Sequence, residues 1–525
     1  MSVPLVTYNG RAFDRDAVPR TDWRTFRRAV VGAPARSARV AALFGVTADG
    51  ASPASPERPD VLGSAEAWST PGGRSAVGGV DLFAVIAIDG DGRLEITSTR
   101  LESDAFESMT PECAEVHLFE REIAEVWNVI PQGHPWLKPV RFQPARRQAR
   151  EVPTIGVTDF YRVEGEEVHE VGVGPVHAGV IEPGHFRFQC HGENVFHLEI
   201  SLGYQHRGVE RALFGGPNKR TIHYAETLAG DTTIGHATAY VRVLEGLCQA
   251  KVPARAQAMR GIALELERLA NHTGNLGALA NDVGFLPTAS YCGRLRGDFL
   301  NMTAAICGSR FGRGLVRPGG VAFGVDKARV DDLLARLDAA ARDVEQAVSL
   351  LWSTASVQAR FEETGKVSRE VARAIGLVGV AARACGVARD VRHDHPWGIY
   401  RFAQIPIAAL DTGDVFARAF VRWLEIQRSI TFVRDQLRGL PAGATRGACG
   451  PLAPWKGCVS LVEGTRGEIC HVALTDGDGR FAAYKVVDAS FHNWLGLAMA
   501  LRDQQISDFP LCNKSFDLSY CGHDL

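Results

Sequence analysis

None of the eleven cysteines stands at the spacing that a metal-binding pair requires. Cys113, Cys190, Cys248, Cys292, Cys307, Cys385, Cys449, Cys458, Cys470, Cys512 and Cys521 are scattered, with no two separated by two residues. The Cys-x-x-Cys element of zinc and iron–sulfur sites is therefore missing. Such cysteines read as reduced, mostly buried small hydrophobes, and no iron–sulfur cluster is expected on this chain. Long apolar runs are missing too: no segment reaches the roughly 20 residues that span a bilayer. An excess of either charge is absent, with 58 Lys and Arg against 60 Asp and Glu and a net charge of -2. That balance argues against a general binder of nucleic acid or anionic membrane. The first residues, MSVPLVTYNGRAFDRD, lack a basic flank followed by an apolar stretch. No secretory signal is read there, so a cytoplasmic location is expected. Any membrane association would come through partner proteins.

What is present is a chain of 525 residues, 46% hydrophobic and 22% charged, enough for two or three domains with real cores. Residues 1–150 read as a small α+β domain. Its signals are a helix over Trp23 to Val31, a Gly/Pro/Ser-rich surface loop from Gly50 to Gly79, and a hairpin turning on the DGDG around Gly90. A helix follows in ECAEVHLFEREIAEVWNV, with Val116, Phe119, Ile123, Val126 and Trp127 on one face. Residues 151–170 read as a linker whose charge switches from basic to acidic. Residues 171–525 begin with short strands in VHEVGVGPVHAGV and HFRFQCHGENVFHLEISLG, then become mainly helical. Helical spacing recurs over Ala237 to Glu245, Arg255 to Leu279, Asp326 to Trp352 and Asp414 to Leu437. From Cys458 the pattern returns to strands, with a second DGDG turn at Asp476 to Gly479. The expected fold class is thus α+β: a small α+β domain, then a helical domain with a small sheet.

Several motifs occur in a telling order. LFEREIAEVWNVIPQGHPWLKPVRF carries Glu120 and Glu122 on a helix that runs into a turn with His134, Pro135 and Trp136 exposed. Taken alone this is a surface helix and loop, but it is similar to the signature of the small hydrophilic subunit of respiratory complex I. GPVHAGVIEPGHFRF, GYQHRGVERAL, VPARAQAMRGIALELERLANHTGNLGALANDVGF and FGRGLVRPGGV follow. Together they resemble the large subunit of group 4 nickel–iron hydrogenases, formate hydrogenlyase among them, and the catalytic-core subunit of complex I. The resemblance runs from about Val171 to the C-terminus, with the small subunit fused ahead of it.

That resemblance implies a nickel–iron centre on four thiolates, from a stretch like "ERICGICGFAH" and another like "DPCxxC". In this chain the matching segments are Glu226 to His236 and Asp517 to Gly522, and the four cysteine positions hold Ala229, Thr232, Ser519 and Gly522. Hydroxyl and alkyl groups cannot replace soft thiolates. Cys521 is one residue out of register, and a lone thiolate cannot build the site. No metal and no cofactor is expected on this chain. The complex I resemblance implies a quinone site with a histidine in a loop like "GPQHPSTHG" and a tyrosine from the early ligand segment. His177 answers the first histidine, no second one is visible in VIEPGHF, and no tyrosine lies between Glu226 and His236.

A polar set remains. His206, Arg207 and Glu210 lie in HRGVE, and His236, His272, Arg317, Arg392 and Asp394 fall on other motif positions. Buried charge is expensive unless paired, so the set is either functional or a mutually satisfied network. The candidate proton or coupling residues are Glu210, Arg207, His206, Arg392 and Asp394. His272 reads as a satisfied core residue, and the TRGE run of Thr465 to Glu468 as architecture. The resemblance implies a peripheral subunit on the cytoplasmic side of the membrane. Its implied partners are a subunit with a 4Fe-4S cluster and membrane subunits resembling antiporters. Electron transfer at that partner's cluster would be coupled to proton or sodium translocation. Quinone or other small-acceptor reduction in the vacated cavity, and a pure scaffold role, are the alternatives.

Overall fold

A computed structural model describes residues 3–47, 79–147, 153–179 and 181–525. The surface-loop reading for Gly50 to Gly79 falls outside these residues except at Gly79, and the linker reading is covered only from residue 153. The fold is α+β, as the sequence pattern predicts.

The first sheet is ordered Leu5–Tyr8, Arg93–Leu101, Val80–Ile88, Ala38–Thr47, with Arg20–Thr21 added in parallel to Arg93–Leu101. Its central hairpin turns at Asp89–Asp91 with Gly92 left-handed at φ 63°, the conformation for which glycine carries no side-chain penalty. Helix His117–Trp127 packs beside it and buries Phe119, Ile123, Val126 and Trp127, but also Glu120 and Glu122. This helix is therefore no surface element. The turn after it has an exposed Pro135, whereas His134 and Trp136 are half-buried and bonded to each other, Trp136 N donating to His134 Nδ1 at 3.0 Å.

The helical part is organised around Ala254–Asp282, which packs against Leu286–Cys307 and Val415–Arg438. Lys327–Ser353 lies beyond Leu286–Cys307. Two of these helices begin on aspartates that accept a bond from the first turn: Asp326 from Arg329 N and Asp414 from Ala417 N. Among the described residues no helix is long and apolar enough to cross a membrane.

The last sheet joins the two parts. Its order is Phe481–Val487, Glu468–Thr475, Lys456–Glu463, and then Ala12–Asp14 from the start of the chain. Successive strand side chains point to opposite faces. Val459, Leu461, Val472, Ala483 and Val487 belong to the core shared with the first sheet. Cys458, Val462, Ala473, Tyr484 and Val486 belong to the helical core. This sheet is a wall with a hydrophobic core on each side, so a polar group on it must be satisfied locally.

Candidate functional site

The four positions where the resemblance implies cysteines come together at one edge of this wall. Ala229 and Thr232 are buried just before helix Thr233–Leu247, and Ser519 and Gly522 are buried at the start of helix Tyr520–Asp524. The backbone of Gly230 bonds the Cys521 thiol. Arg207 holds the two segments together, donating to Thr227 O at 2.6 Å, Leu228 O at 2.9 Å and Cys521 O at 3.0 Å.

A guanidinium occupies the space between the two segments. Arg466, from the TRGE run, forms a double ion pair with Asp231 at 2.7 and 2.8 Å and donates to Thr232 Oγ1 at 3.1 Å. Its Nε also donates to Asp517 O. Against the penalty of burial, this pairing drives the Asp231 carboxyl far below the usual carboxylate range. A Cβ on Gly522 would lie 2.9 Å from Asp488 Oδ1 and 3.0 Å from Ser519 Oγ. A methyl, two hydroxyls and a missing side chain do not fit a nickel–iron centre, which needs thiolates. Among the described residues no group of three or more His, Cys, Asp or Glu side chains could hold a metal ion.

From this edge a chain of hydrogen bonds runs into the helical face of the wall. Asp488 Oδ2 is 3.0 Å from His236 Nε2, His236 Nδ1 is 3.1 Å from His471 Nε2, and His471 Nδ1 is 2.9 Å from the Tyr484 hydroxyl. All four residues are buried. Burial opposes ionisation of Asp488, but the bond from His236 outweighs it and holds the carboxyl at about 2. Desolvation, then the neighbouring His236, keeps His471 neutral, and burial keeps Tyr484 protonated. With Asp488 ionised, every donor is assigned in one direction: Tyr484 O–H to His471, His471 Nε2–H to His236, His236 Nε2–H to Asp488.

Glu210 sits on the opposite face of the same strand. Its Oε1 accepts from Val486 N at 2.9 Å and lies 3.1 Å from Lys485 Nζ. Lys485 donates to both oxygens of Glu122 at 2.6 Å, and Arg141 completes the pair. Despite burial, Lys485 and Arg141 hold the Glu122 carboxyl at about 2. Arg141 continues to His523 O at 2.8 Å, and His523 Nδ1 lies 2.9 Å from Asp524. His206 closes the path by donating to Asp524 O at 2.7 Å. Thus His206, Arg207 and Glu210 share one region, with Glu210 linked to the helix that carries the FERE motif.

Arg392 lies elsewhere. Its bonds run to Asp390 at 2.6 and 2.9 Å, to Glu265 at 3.1 Å and to Glu425 at 3.4 Å, inside a buried cluster that also holds Arg268, Arg383 and His272. Asp394 caps this region, accepting from Asp390 N at 2.9 Å and pairing with His393 at 3.0 Å. Arg317 pairs with Glu226 at 2.7 Å. His177 donates to Gly184 O at 2.9 Å. Several residues of the site were not singled out from the sequence, among them Arg466, His471, Tyr484, Lys485 and Asp488. The carboxylate of Asp231 between the two early ligand positions was the available signal, since a partly buried aspartate there demands a cation.

Comparison with known proteins gives a consistent set of relatives. The family described as the 49 kDa subunit of respiratory-chain NADH dehydrogenase matches residues 282–449. Formate hydrogenlyase subunit 5 of Escherichia coli is 30% identical over 468 residues, spanning 84% of this chain and 81% of the relative. The carbon monoxide-induced hydrogenase of Rhodospirillum rubrum is 31% identical, spanning 66% of this chain and 97% of the relative. A component of the NADH-quinone oxidoreductase of Dehalococcoides mccartyi is 28% identical, spanning 66% of this chain and 96% of the relative.

Proposed function

The chain belongs to the family that unites membrane-bound hydrogenase large subunits with the 49 kDa subunit of respiratory-chain NADH dehydrogenase, and from that membership we propose that it is the core subunit of a membrane-associated oxidoreductase complex. Within that complex it carries no nickel–iron centre and no cofactor of its own. Electrons pass at a 4Fe-4S cluster on an adjacent subunit, and this chain answers the change in charge with proton movement toward membrane subunits resembling antiporters.

The observation that carries this reading is the one-directional chain Tyr484–His471–His236–Asp488, which ends at the former ligand positions. A proton moving along this chain would pass between the ring nitrogens of His471 and His236, with ionised Asp488 as the fixed negative charge that orients the His236 Nε2–H. Arg466 near Asp488 supplies a fixed positive charge that favours its ionised form. Glu210 and Lys485, on the other face of the same strand, supply a charge pair through which the relay can be felt in the N-terminal part. The region next to Asp231 is lined by Asn271, Asn275, Arg296 and Lys514, a lining that suits ions better than the ring of a quinone.

The test is made on the assembled complex. Elemental analysis is expected to find nickel far below one atom per chain; stoichiometric nickel would end the proposal. Glu210→Gln and His471→Gln are each expected to lower ions translocated per electron at least tenfold while the complex remains assembled. Unchanged translocation in both variants would leave only a scaffold role.

A further inference from the structure

Seven of the eleven cysteines are buried, and four are half-buried: Cys248, Cys307, Cys449 and Cys521. Cys307 bonds to the carbonyls of Thr303 and Ser309, and Cys521 to the Ser519 hydroxyl. Cys248 and Cys449 meet each other instead. Their Sγ atoms lie 2.8 Å apart although 201 positions separate them along the chain. That contact is within roughly 0.8 Å of a sulfur–sulfur bond length. The Cys248 thiol has one further contact, a long one of 3.9 Å to Glu245 O.

The backbone on both sides sets this contact. Cys248 caps helix Thr233–Leu247, its N–H donating to Leu244 O at 2.9 Å, and Ala250 N donates to Glu245 O at 2.9 Å. Cys449 lies in residues 439–455, which contain neither helix nor strand between Val415–Arg438 and Lys456–Glu463. A stretch of that length without regular structure is uncommon inside a folded domain and is usually functional. Here it is held closely. Gly447 N donates to Gly319 O at 2.8 Å, Val321 N to Thr445 O at 2.9 Å, and Ala453 N to Leu247 O at 3.1 Å. A Cβ on Gly447 would lie 2.4 Å from Lys251 O, so only glycine lets the segment pass this close to the end of the helix. Cys449 is thus pinned before and after, and the second pin is the residue next to Cys248.

We propose that Cys248 and Cys449 form a redox-sensitive thiol pair, closed to a disulfide by a small-molecule disulfide and reopened by a thiol. Burial, then the neighbouring Cys248, pushes the Cys449 thiol up to about 12, so Cys248 is the first nucleophile. Its thiolate attacks one sulfur of oxidised glutathione, the glutathione S–S bond breaks, and one glutathione thiolate leaves. Cys449 then gives its proton to solvent and attacks Cys248 Sγ. The Sγ–Sγ bond forms as the second glutathione leaves as a thiolate. Two cysteine thiols are oxidised and one glutathione disulfide is reduced to two thiols, two electrons in all. Disulfides in proteins kept under reducing conditions are mostly of this transient, sensing kind. The bond ties the end of the helix that carries His236 to the segment entering strand Lys456–Glu463. It closes a loop spanning 201 positions, long enough to restrict the unfolded chain strongly. The pair takes no part in the Tyr484–Asp488 chain, and its chemistry can be followed without redox turnover.

The experiment incubates the reduced full chain, freed of reductant, with oxidised glutathione, then counts free thiols after denaturation and maps cross-linked peptides. The count is expected to fall by two from eleven, with Cys248 and Cys449 in one cross-linked peptide pair and no glutathione retained on either. Dithiothreitol is expected to restore all eleven. Cys449→Ser is expected to keep one glutathione on Cys248 and to form no cross-link. The oxidised parent is expected to unfold at a urea midpoint about 0.5 M above the reduced parent, a difference that Cys449→Ser lacks. Eleven free thiols after excess oxidant, glutathione held on the parent's Cys248 without the cross-link, or a cross-link through other cysteines in its place would overturn the pair. An oxidised parent with an unchanged or lower midpoint would overturn the tie between the helix end and the segment.

Discussion

Glu425→Gln is expected to destabilise the chain by about 3–5 kcal/mol, measured as a lower urea midpoint, because it removes the centre of a buried ionic cluster. Glu425 is 1% exposed and meets Arg383 at 2.5 Å, His272 at 2.7 Å, Arg392 at 3.4 Å and Arg268 at 3.6 Å. Three guanidiniums face the carboxylates of Glu265, Asp390, Glu425 and Glu463. Burial, then the nearby Asp390, pushes the Glu463 carboxyl up to about 7. Burial likewise pushes His272 down to about 4 despite its bond to Glu425. Near neutral pH the cluster thus balances close to three positive against three negative charges. Gln keeps the shape and removes one negative charge, leaving a surplus guanidinium with no water to solvate it. Ionisation of Glu463 can offset part of that loss, which sets the expectation near the lower end. Pairing Glu425→Gln with Arg383→Met should recover most of the stability, since the charges leave together. If the double variant were as unstable as the single one, shape rather than charge would be the controlling factor.

The cluster also explains which parts of this molecule could be read in advance. The long helices over Arg255 to Leu279, Asp326 to Trp352 and Asp414 to Leu437 were legible because apolar residues recur at helical spacing. They are found at Ala254–Asp282, Lys327–Ser353 and Val415–Arg438. Both DGDG turns were legible because local backbone geometry requires such residues. Helix Leu286–Cys307 was not, since Pro287, Gly293 and Gly297 interrupt its pattern. In the structure Pro287 sits in the first turn, where no N–H is needed. Gly293 lines a cleft beside Ala254–Asp282, so its small size follows from a cavity that no local pattern reveals. The strand Ala12–Asp14 pairs with residues more than 400 positions away, and nothing local signals that. Arg466 is the same case at the site. Thr465 to Glu468 read as architecture, because the guanidinium's partner, Asp231, is 235 positions distant. The missing thiolates were visible as absences, whereas the ion pair that takes their place depends on contacts across the whole fold.

Glu267→Gln is the complementary case, a substitution expected to stabilise the chain by about 4 kcal/mol at pH 8 and to do nothing near pH 4.5. Glu267 accepts from Ile234 N at 2.6 Å and Gly235 N at 3.1 Å, at the start of helix Thr233–Leu247. Those bonds favour the carboxylate, but burial outweighs them and Asp231 adds like-charge repulsion, raising the carboxyl to about 8. The sign follows from proton counting. Below about pH 4.5 both folded and unfolded states hold the proton, and the group is neutral toward stability. As pH rises from 4.5 to 8 the unfolded chain releases the proton and the folded chain does not, so stability falls. Above about pH 8 both states are ionised and the loss is complete. Other groups overlap at lower pH: Glu115 and Glu463 rise to about 7 in the same direction. His117, His134, His272 and His492, with values between about 3 and 4, act oppositely below about pH 6.5. Between pH 7 and 8 Glu267 is therefore the main contributor, and the parent should lose about 1 kcal/mol from this group across that unit. Denaturation midpoints at pH 7.0, 7.5 and 8.0 decide the matter, because the parent should decline by about 1 kcal/mol more than the Gln variant, in which Glu115 and Glu463 still titrate. Parallel declines would mean that Glu267 is already ionised when folded. In that case its two backbone donors, and not the burial beside Asp231, would govern the helix start that carries His236 into the relay.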